Sequence, residues 1–182
     1  MAKVKEITAG LPPFVFGLEA FEDYDLGDNI EHRDPVQMPD GSQYSGEWCR
    51  ETNTRHGRGE HIWTDGSTYE GYWSADKANG RGRIVFPDGR VYEGYWKNDK
   101  AHGHGRYTIE DGAVYSGEWA EDRQNGQGEE TWPDGTRFQG NFFCGKKEGF
   151  GEFFWTDGSS YSGDFLENRF HGRGVYRWAD GK

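Results

Sequence analysis

The chain predicts an all-β protein, an elongated single-layer antiparallel sheet of consecutive β-hairpins, twisted and grooved. Three observations predict it. Asp-Gly recurs seven times, at Asp40, Asp65, Asp88, Asp111, Asp134, Asp157 and Asp180, first 25 residues apart and then every 23. Apolar and polar residues alternate with a period of two inside each unit, as on a half-buried strand. Aromatics make up 16% of the 182 residues and glycines number 29. That pairing points to packing of rings on glycine rather than to an aliphatic interior.

Each unit repeats one order. An aromatic comes three residues after each of the first six of these Asp-Gly glycines: Tyr44, Tyr69, Tyr92, Tyr115, Phe138, Tyr161. A glycine comes two further on, then a second aromatic: Trp48, Trp73, Trp96, Trp119, Phe142, Phe165. Gly-x-Gly closes the unit, as at Gly80/Gly82 and Gly103/Gly105. These are two strands. The turn between units is of Pro-Asp-Gly type, complete at Pro39, Pro87 and Pro133. There Pro presets φ, Asp bonds its own backbone and Gly takes the positive φ. The loop inside the unit reads as the longer one, with Asp76, Asp99, Asp122, Gly145 and Asn168 at its middle. In the expected register Trp73 stands opposite Gly80, Gly71 opposite Gly82, Tyr69 opposite Ile84, and Trp96 lies beside Gly82. Twelve strands at ~4.8 Å span on the order of 60 Å. On that spacing Cys49 and Cys144, four units apart, form no intrachain disulfide.

The expected organisation is a non-repeat segment 1–30, a degenerate capping half-repeat 31–39, and six repeats plus the start of a seventh over 40–182. In the half-repeat, His32 and Asp34 replace Gly-x-Gly. The segment "LPPFVFGLEAF" has no periodic helical face and is expected to dock on a partner rather than fold back. The chain stops at Asp180-Gly181-Lys182, where a seventh unit would begin, so it reads as a piece of a longer protein or as an open edge inviting strand addition.

The net charge of −11 excludes nucleic acid as a partner and disfavours an anionic membrane unless a basic patch is local. Two cysteines are no disulfide framework and fit a reducing cytoplasm. No apolar run approaches the ~20 residues that span a bilayer, and the N-terminus is no signal peptide.

The stretch "YEGYWKNDKAHGHG", 92–105, resembles the MORN repeat, Tyr-Glu-Gly-x-Trp followed by x-x-Gly-Lys-x-x-Gly-x-Gly. The likeness covers 40–181 in six units. The mid-loop Gly is Asp or Asn except at Gly145, the Glu is Ser at Ser45, Ser116 and Ser162 and Gln at Gln139, and unit five carries Phe138 and Phe142. The resemblance implies a hairpin array curved into a groove that serves as a binding module. Members of that family occur in ciliary axonemes, in cytoskeletal and membrane-junction scaffolds, and joined to lipid kinases or protein methyltransferases. Lipid binding is often ascribed to them.

The expected function is therefore a non-catalytic scaffold that binds an extended or helical segment of a cytoskeletal or ciliary protein. The aromatic face that would bind it comprises Tyr69, Trp73, Tyr92, Trp96, Tyr115, Trp119, Trp132 and Trp155. The second stripe on that face is Trp63, Phe86, Ile109, Trp132, Trp155 and Trp178. The opposite face reads as polar and acidic, with Glu47, Glu70, Tyr72, Glu93, Tyr95 and Glu118. Lys77, Lys100, Arg123, Lys146 and Arg169 recur at one loop position, about 10 Å apart. They form an edge for an anionic phospholipid or acidic partner, or a solvated loop neutralised by Asp76, Asp99 and Asp122. A third reading is an accessory region of an enzyme lying beyond residue 182.

No cofactor, small-molecule substrate or catalytic group is expected. His56, His102 and His171 share a position with Asn79, Asn125 and Glu148, which marks a polar loop site and no metal centre. Gly-x-Gly lacks the third glycine and the following helix of a dinucleotide fingerprint.

Overall fold

A computed structural model describes residues 2–17, 29–109 and 111–181. The portion 18–28 of the non-repeat segment lies outside the described residues. The chain divides into two compact units, Met1–Lys100 and Ala101–Lys182. Unit one holds α1 (Ala2–Ala9) and β1 (Ile30–Gln37), β2 (Gln43–Cys49), β3 (Thr54–Ile62), β4 (Thr68–Ser74), β5 (Lys77–Val85) and β6 (Val91–Lys97). Unit two carries β7 (Lys100–Thr108), β8 (Val114–Ala120), β9 (Arg123–Thr131), β10 (Arg137–Phe143), β11 (Lys146–Phe154), β12 (Ser160–Leu166) and β13 (Arg169–Arg177). Within each unit the strands pair antiparallel with their sequence neighbours.

Turn chemistry makes this meander, and the two loops exchange the lengths expected of them. The loop inside a hairpin is the tight one. Between β4 and β5 only Ala75 and Asp76 remain, at φ 47° and 66°. Two residues at positive φ match the right-handed twist of the flanking strands. The turn between hairpins is the longer. Gly89 N donates to Phe86 O at 3.1 Å, Phe86 N to Arg90 O at 2.9 Å, and Arg90 N to Asp88 Oδ1 at 3.0 Å. This is a type I turn closed by a left-handed glycine, and the Asp side chain fastens it as the sequence predicts.

Gly71 faces Gly82 and Tyr69 faces Ile84, as expected, but Trp73 stands opposite Ala78 and not Gly80. One residue, Tyr72, separates Gly71 from Trp73, while three, Asn79 to Arg81, separate Ala78 from Gly82. β5 therefore bulges, and Gly80 takes φ 81° to make the bend. Trp96 consequently lies opposite Gly80 rather than beside Gly82. Its indole still reaches the second glycine, donating from Nε1 to Gly82 O at 3.1 Å. The two glycines of Gly-x-Gly thus do different work. The first bends the strand, and the second clears space for a ring. A Cβ on Gly82 would collide with the hydroxyl end of Tyr69.

Tyr69 lies along its own strand over Gly71 and donates its hydroxyl to Tyr72 O at 3.1 Å. Tyr44, Tyr92, Tyr115 and Tyr161 make the same bond to the carbonyl three residues on, at 2.9–3.1 Å. Burial pushes the Tyr44 and Tyr115 hydroxyls far above their ordinary pKa, so both remain donors. The rings meet edge to face in sequence. In unit one, Tyr44–Trp73, Tyr69–Trp73, Tyr69–Trp96 and Tyr92–Trp96 have centroids 5.1–5.5 Å apart. In unit two, Tyr115–Phe142, Phe138–Phe142, Phe138–Phe165 and Tyr161–Phe165 lie at 4.9–5.4 Å.

Each hairpin loop also clasps the hairpin before it. Asp76 Oδ1 accepts from Arg55 N at 2.9 Å, Asp99 Oδ1 from Ala78 N at 2.7 Å, and Asp122 Oδ1 from Ala101 N at 2.7 Å. The loop amides return the bond to the same residues' carbonyls at 3.0–3.1 Å. Each of these carboxylates thus holds a backbone amide of the hairpin before it.

The N-terminal segment folds back on unit one, against the expectation that it docks elsewhere. α1 packs on β5, and Val4 is buried. Phe16 meets Tyr72 edge to face at 5.4 Å, Arg58 and Arg83 sit over Phe16 and Phe14, and Arg83 donates to Pro12 O at 2.8 Å. The face read as polar and acidic is thus braced by arginine, with Arg83 and Arg81 both paired to Glu93, and covered by residues 12–16.

Unit five offers a test of the clasp. Gly145 keeps the amide bond to Gln124 O at 2.9 Å but has no side chain to accept from Gln124 N. Its φ is 82°, against the 66–69° that Asp76, Asp99 and Asp122 adopt at the same place, and a Cβ there meets nothing within 4 Å. Gly145→Asp is expected to stabilise the chain by about 0.5–1.5 kcal/mol, read as a raised midpoint in urea unfolding. Gly145→Ala, which lacks the acceptor, should show no such gain.

Candidate functional site: two aromatic clefts

The residues expected to line a groove separate into floor and rim. Tyr69, Trp73, Tyr92 and Tyr115 are buried beneath their neighbours. Trp96, Trp119, Trp132 and Trp155 are half-buried and present one face. The floor rings hold the sheet, and the rim rings are those left partly accessible.

In unit one the aromatic face carries a cleft of about 510 Å³, walled by Met38, Trp63, Ile84 and Trp96 over a floor of Tyr69 and Trp73. Arg55 lies inside it. Its guanidinium sits 4.2 Å from the Trp73 centroid and 5.8 Å from that of Tyr44. It bonds Asp76 Oδ1 at 3.1 Å and Asp76 O at 2.6 Å, and Nη1 donates to His61 Nδ1 at 3.0 Å. A guanidinium can only donate, so Nδ1 is the acceptor and the imidazole proton sits on Nε2. That Nε2–H is buried and has no acceptor. His61 is 3% exposed and meets the Trp63 ring at 4.5 Å, the two planes tilted by 53°. Burial first, and then the Arg55 charge, hold its pKa down at about 4, so it stays neutral under ordinary conditions.

Unit two carries a second, shallower cleft of about 560 Å³ between Asp111, Trp132, Asp134, Phe153 and Trp155. Trp132 and Phe153 stack at 5.5 Å, and Phe153 meets Trp155 at 4.7 Å. Lys147 does not line this cleft but packs behind it, against Trp132. Its Nζ pairs with Glu130 at 2.5 Å and lies 5.0–5.5 Å from the Trp132, Phe138 and Phe142 centroids.

Sequence reading missed Arg55, His61, Glu130 and Lys147. A signal existed. Arg55 and Lys147 occupy the repeat position held elsewhere by Ala78, Ala101, Gln124 and Phe170. A cation where all its equivalents are uncharged marks a side chain turned onto the rings.

Lys77, Lys100, Arg123, Lys146 and Arg169 are all exposed, at the start of β5, β7, β9, β11 and β13. Lys146 pairs with Glu167 at 2.9 Å. Cys49 and Cys144 are free thiols. Among the described residues no group of three His, Cys, Asp or Glu converges on a metal site.

The MORN repeat model matches residues 53–68, 69–89, 92–114, 115–137, 138–160 and 161–182. The chain belongs to the MORN repeat family, a family of non-catalytic repeats. The match begins inside the first hairpin, midway through the loop stretch "CRETNTRHG", rather than at residue 40. A comparison with curated proteins returns no match. Among solved structures the chain is similar to the SAS-4 (dCPAP) TCP domain in complex with a proline-rich motif of Ana2 (dSTIL) of Drosophila melanogaster. The identity is 16% and the TM-score 0.44, over 82% of this chain and 74% of that one. It is also similar to a point mutant of the TCP10 domain of Danio rerio CPAP, at 18% identity and TM-score 0.40, over 81% and 78% of the two chains.

The depressed His61 pKa sets a pH dependence. The unfolded chain protonates His61 below about 6.5, while the folded chain resists until about 4. Stability from this group is complete above pH 6.5 and falls as the pH drops toward 4, by about 3 kcal/mol at most. Urea titrations between pH 7 and pH 4.5 should show this slope, and His61→Phe should flatten it.

Proposed function

We propose that this chain is a non-catalytic scaffold that binds a segment of a partner protein along its aromatic face. Its setting is the cytoplasm, in a ciliary, axonemal or cytoskeletal assembly. One observation carries the binding reading: in unit one, half-buried rings wall an open cleft whose interior holds a braced cation, carboxylates and an unpartnered donor. Such a surface offers apolar anchors with a few fixed polar groups, the combination that recognition sites use. Membership in the MORN family supports a repeat scaffold. The ciliary or cytoskeletal setting follows the range in which that family occurs.

A second reading, an anionic phospholipid tether, is favoured by the exposed cation row at the hairpin loops. The net charge of −11 weighs against it at any distance beyond the Debye length.

Capture from ciliated-cell lysate separates the two. Wild type is expected to retain a protein that Met38→Ala/Trp63→Ala, still folded by circular dichroism, releases. Retention unchanged by that variant removes the cleft from the reading. If the tether reading holds instead, phosphatidylserine vesicles will bind wild type, and binding will weaken with salt and with Lys77, Lys100 and Arg123 changed to Ala.

A further inference from the structure

We propose that the unit-one cleft is a docking site for a basic, proline-containing segment in polyproline II conformation. The proposal rests on the protein-binding reading above and gives it a ligand class. Three independent features point the same way.

The first is the orphan donor. Arg55 fixes the His61 tautomer, and Nε2–H is left buried without an acceptor. The half-buried Trp63 ring lies against it at 4.5 Å, so a tilt of that ring admits one. An α-helix has no carbonyl to offer along its length, because its backbone bonds are closed internally. A β-strand would add at a sheet edge, and this cleft lies on a face. A polyproline II segment has no internal hydrogen bonds and carries all its carbonyls open.

The second is charge. Asp40, Asp76 and Asp99 line the cleft against the single guanidinium of Arg55, which Asp76 already pairs. Two carboxylates remain in excess at the mouth. A ligand with arginine or lysine beside its prolines matches them, and an acidic segment is repelled.

The third is pitch. Each hairpin advances the rings by two strand spacings, about 9.6 Å. A polyproline II helix repeats every three residues, at about 9.3 Å. Prolines three apart therefore keep step with successive hairpins, and Trp63 and Trp96, half-buried in the cleft wall, are the rings left to meet them.

The test uses the full chain and three fluorescein-labelled synthetic peptides read by anisotropy. One has proline at every third position and two arginines. The second has each proline replaced by alanine at equal charge. The third keeps the prolines and replaces arginine by glutamate. The proline–arginine peptide is expected to bind, with the alanine twin about tenfold weaker and the glutamate twin weaker still. His61→Phe, which keeps a ring and removes the donor, should weaken the first peptide about tenfold. Asp99→Asn keeps an acceptor for Ala78 N, as Asn168 does for Lys147 N at 2.8 Å, so the clasp survives while the charge goes. It should weaken binding and flatten its salt dependence. Equal affinity for the alanine twin, or no binding of the proline–arginine peptide, overturns the proposal. If the cleft variant releases a captured partner that this peptide fails to displace, protein binding stands and the polyproline assignment falls.

Discussion

Everything in this sheet depends on a tyrosine lying flat over a pair of glycines. Tyr69 covers Gly71 on its own strand and Gly82 on the next, and its hydroxyl closes on Tyr72 O. Any Cβ at either glycine would lift the ring. With the ring down, the space above the backbone is filled by its own strand, so no second layer is needed to bury it. This is how a chain poor in aliphatics maintains an ordered sheet. The indoles complete the arrangement: Trp73, Trp96 and Trp119 each donate to the carbonyl of a second glycine, at 3.1–3.3 Å.

Because each ring, clasp and strand pair joins only adjacent hairpins, stability is a sum of nearest-neighbour terms. The sum is uneven. The hairpin of β10 and β11 has Phe138 without a hydroxyl, Phe142 without an indole N–H and Gly145 without a carboxylate. Three polar ties vanish in one unit. Lys147 stands in that same hairpin, set among Trp132, Phe138 and Phe142 and paired with Glu130. A cation held by rings and one carboxylate restores attraction where hydrogen bonds are missing. The Lys147 brace and the three losses thus form one compensated change.

The hairpins and the Asp-Gly turn between them were legible because they follow from local chemistry: period two, Asp at its own turn, glycine at positive φ, whereas the in-hairpin loop was read as the longer and is the tight two-residue turn. What eluded the sequence was nonlocal. The bulge at Gly80 shifts Trp73 onto Ala78, and pattern alone counts residues without knowing which strand carries the extra ones. The clasp by Asp76 reaches Arg55, 21 residues back. It looks in sequence like an ordinary turn residue. The return of residues 12–16 to the Tyr72 face depends on arginines from β3 and β5, with no periodicity to announce it. The aromatic face was found, but its division into floor and rim needed burial.

That division explains how one stripe can both fold and bind. Floor positions vary little along the chain: five of six first aromatics are Tyr, and the sixth is Phe138. The turn positions of the rim vary more, with Trp63, Trp132, Trp155 and Trp178 but Phe86 and the aliphatic Ile109. A floor ring is held by steric fit to paired glycines, so substitution there is costly in every unit. A rim residue sits on a turn, with one side against the face and the other toward solvent, so its identity is set by what it meets. The inward groups vary likewise, Arg55 with His61 in one unit and Lys147 with Glu130 in the other. A constant floor with a variable rim and variable inward polar groups lets one repeat build clefts of different chemistry without disturbing the sheet beneath them.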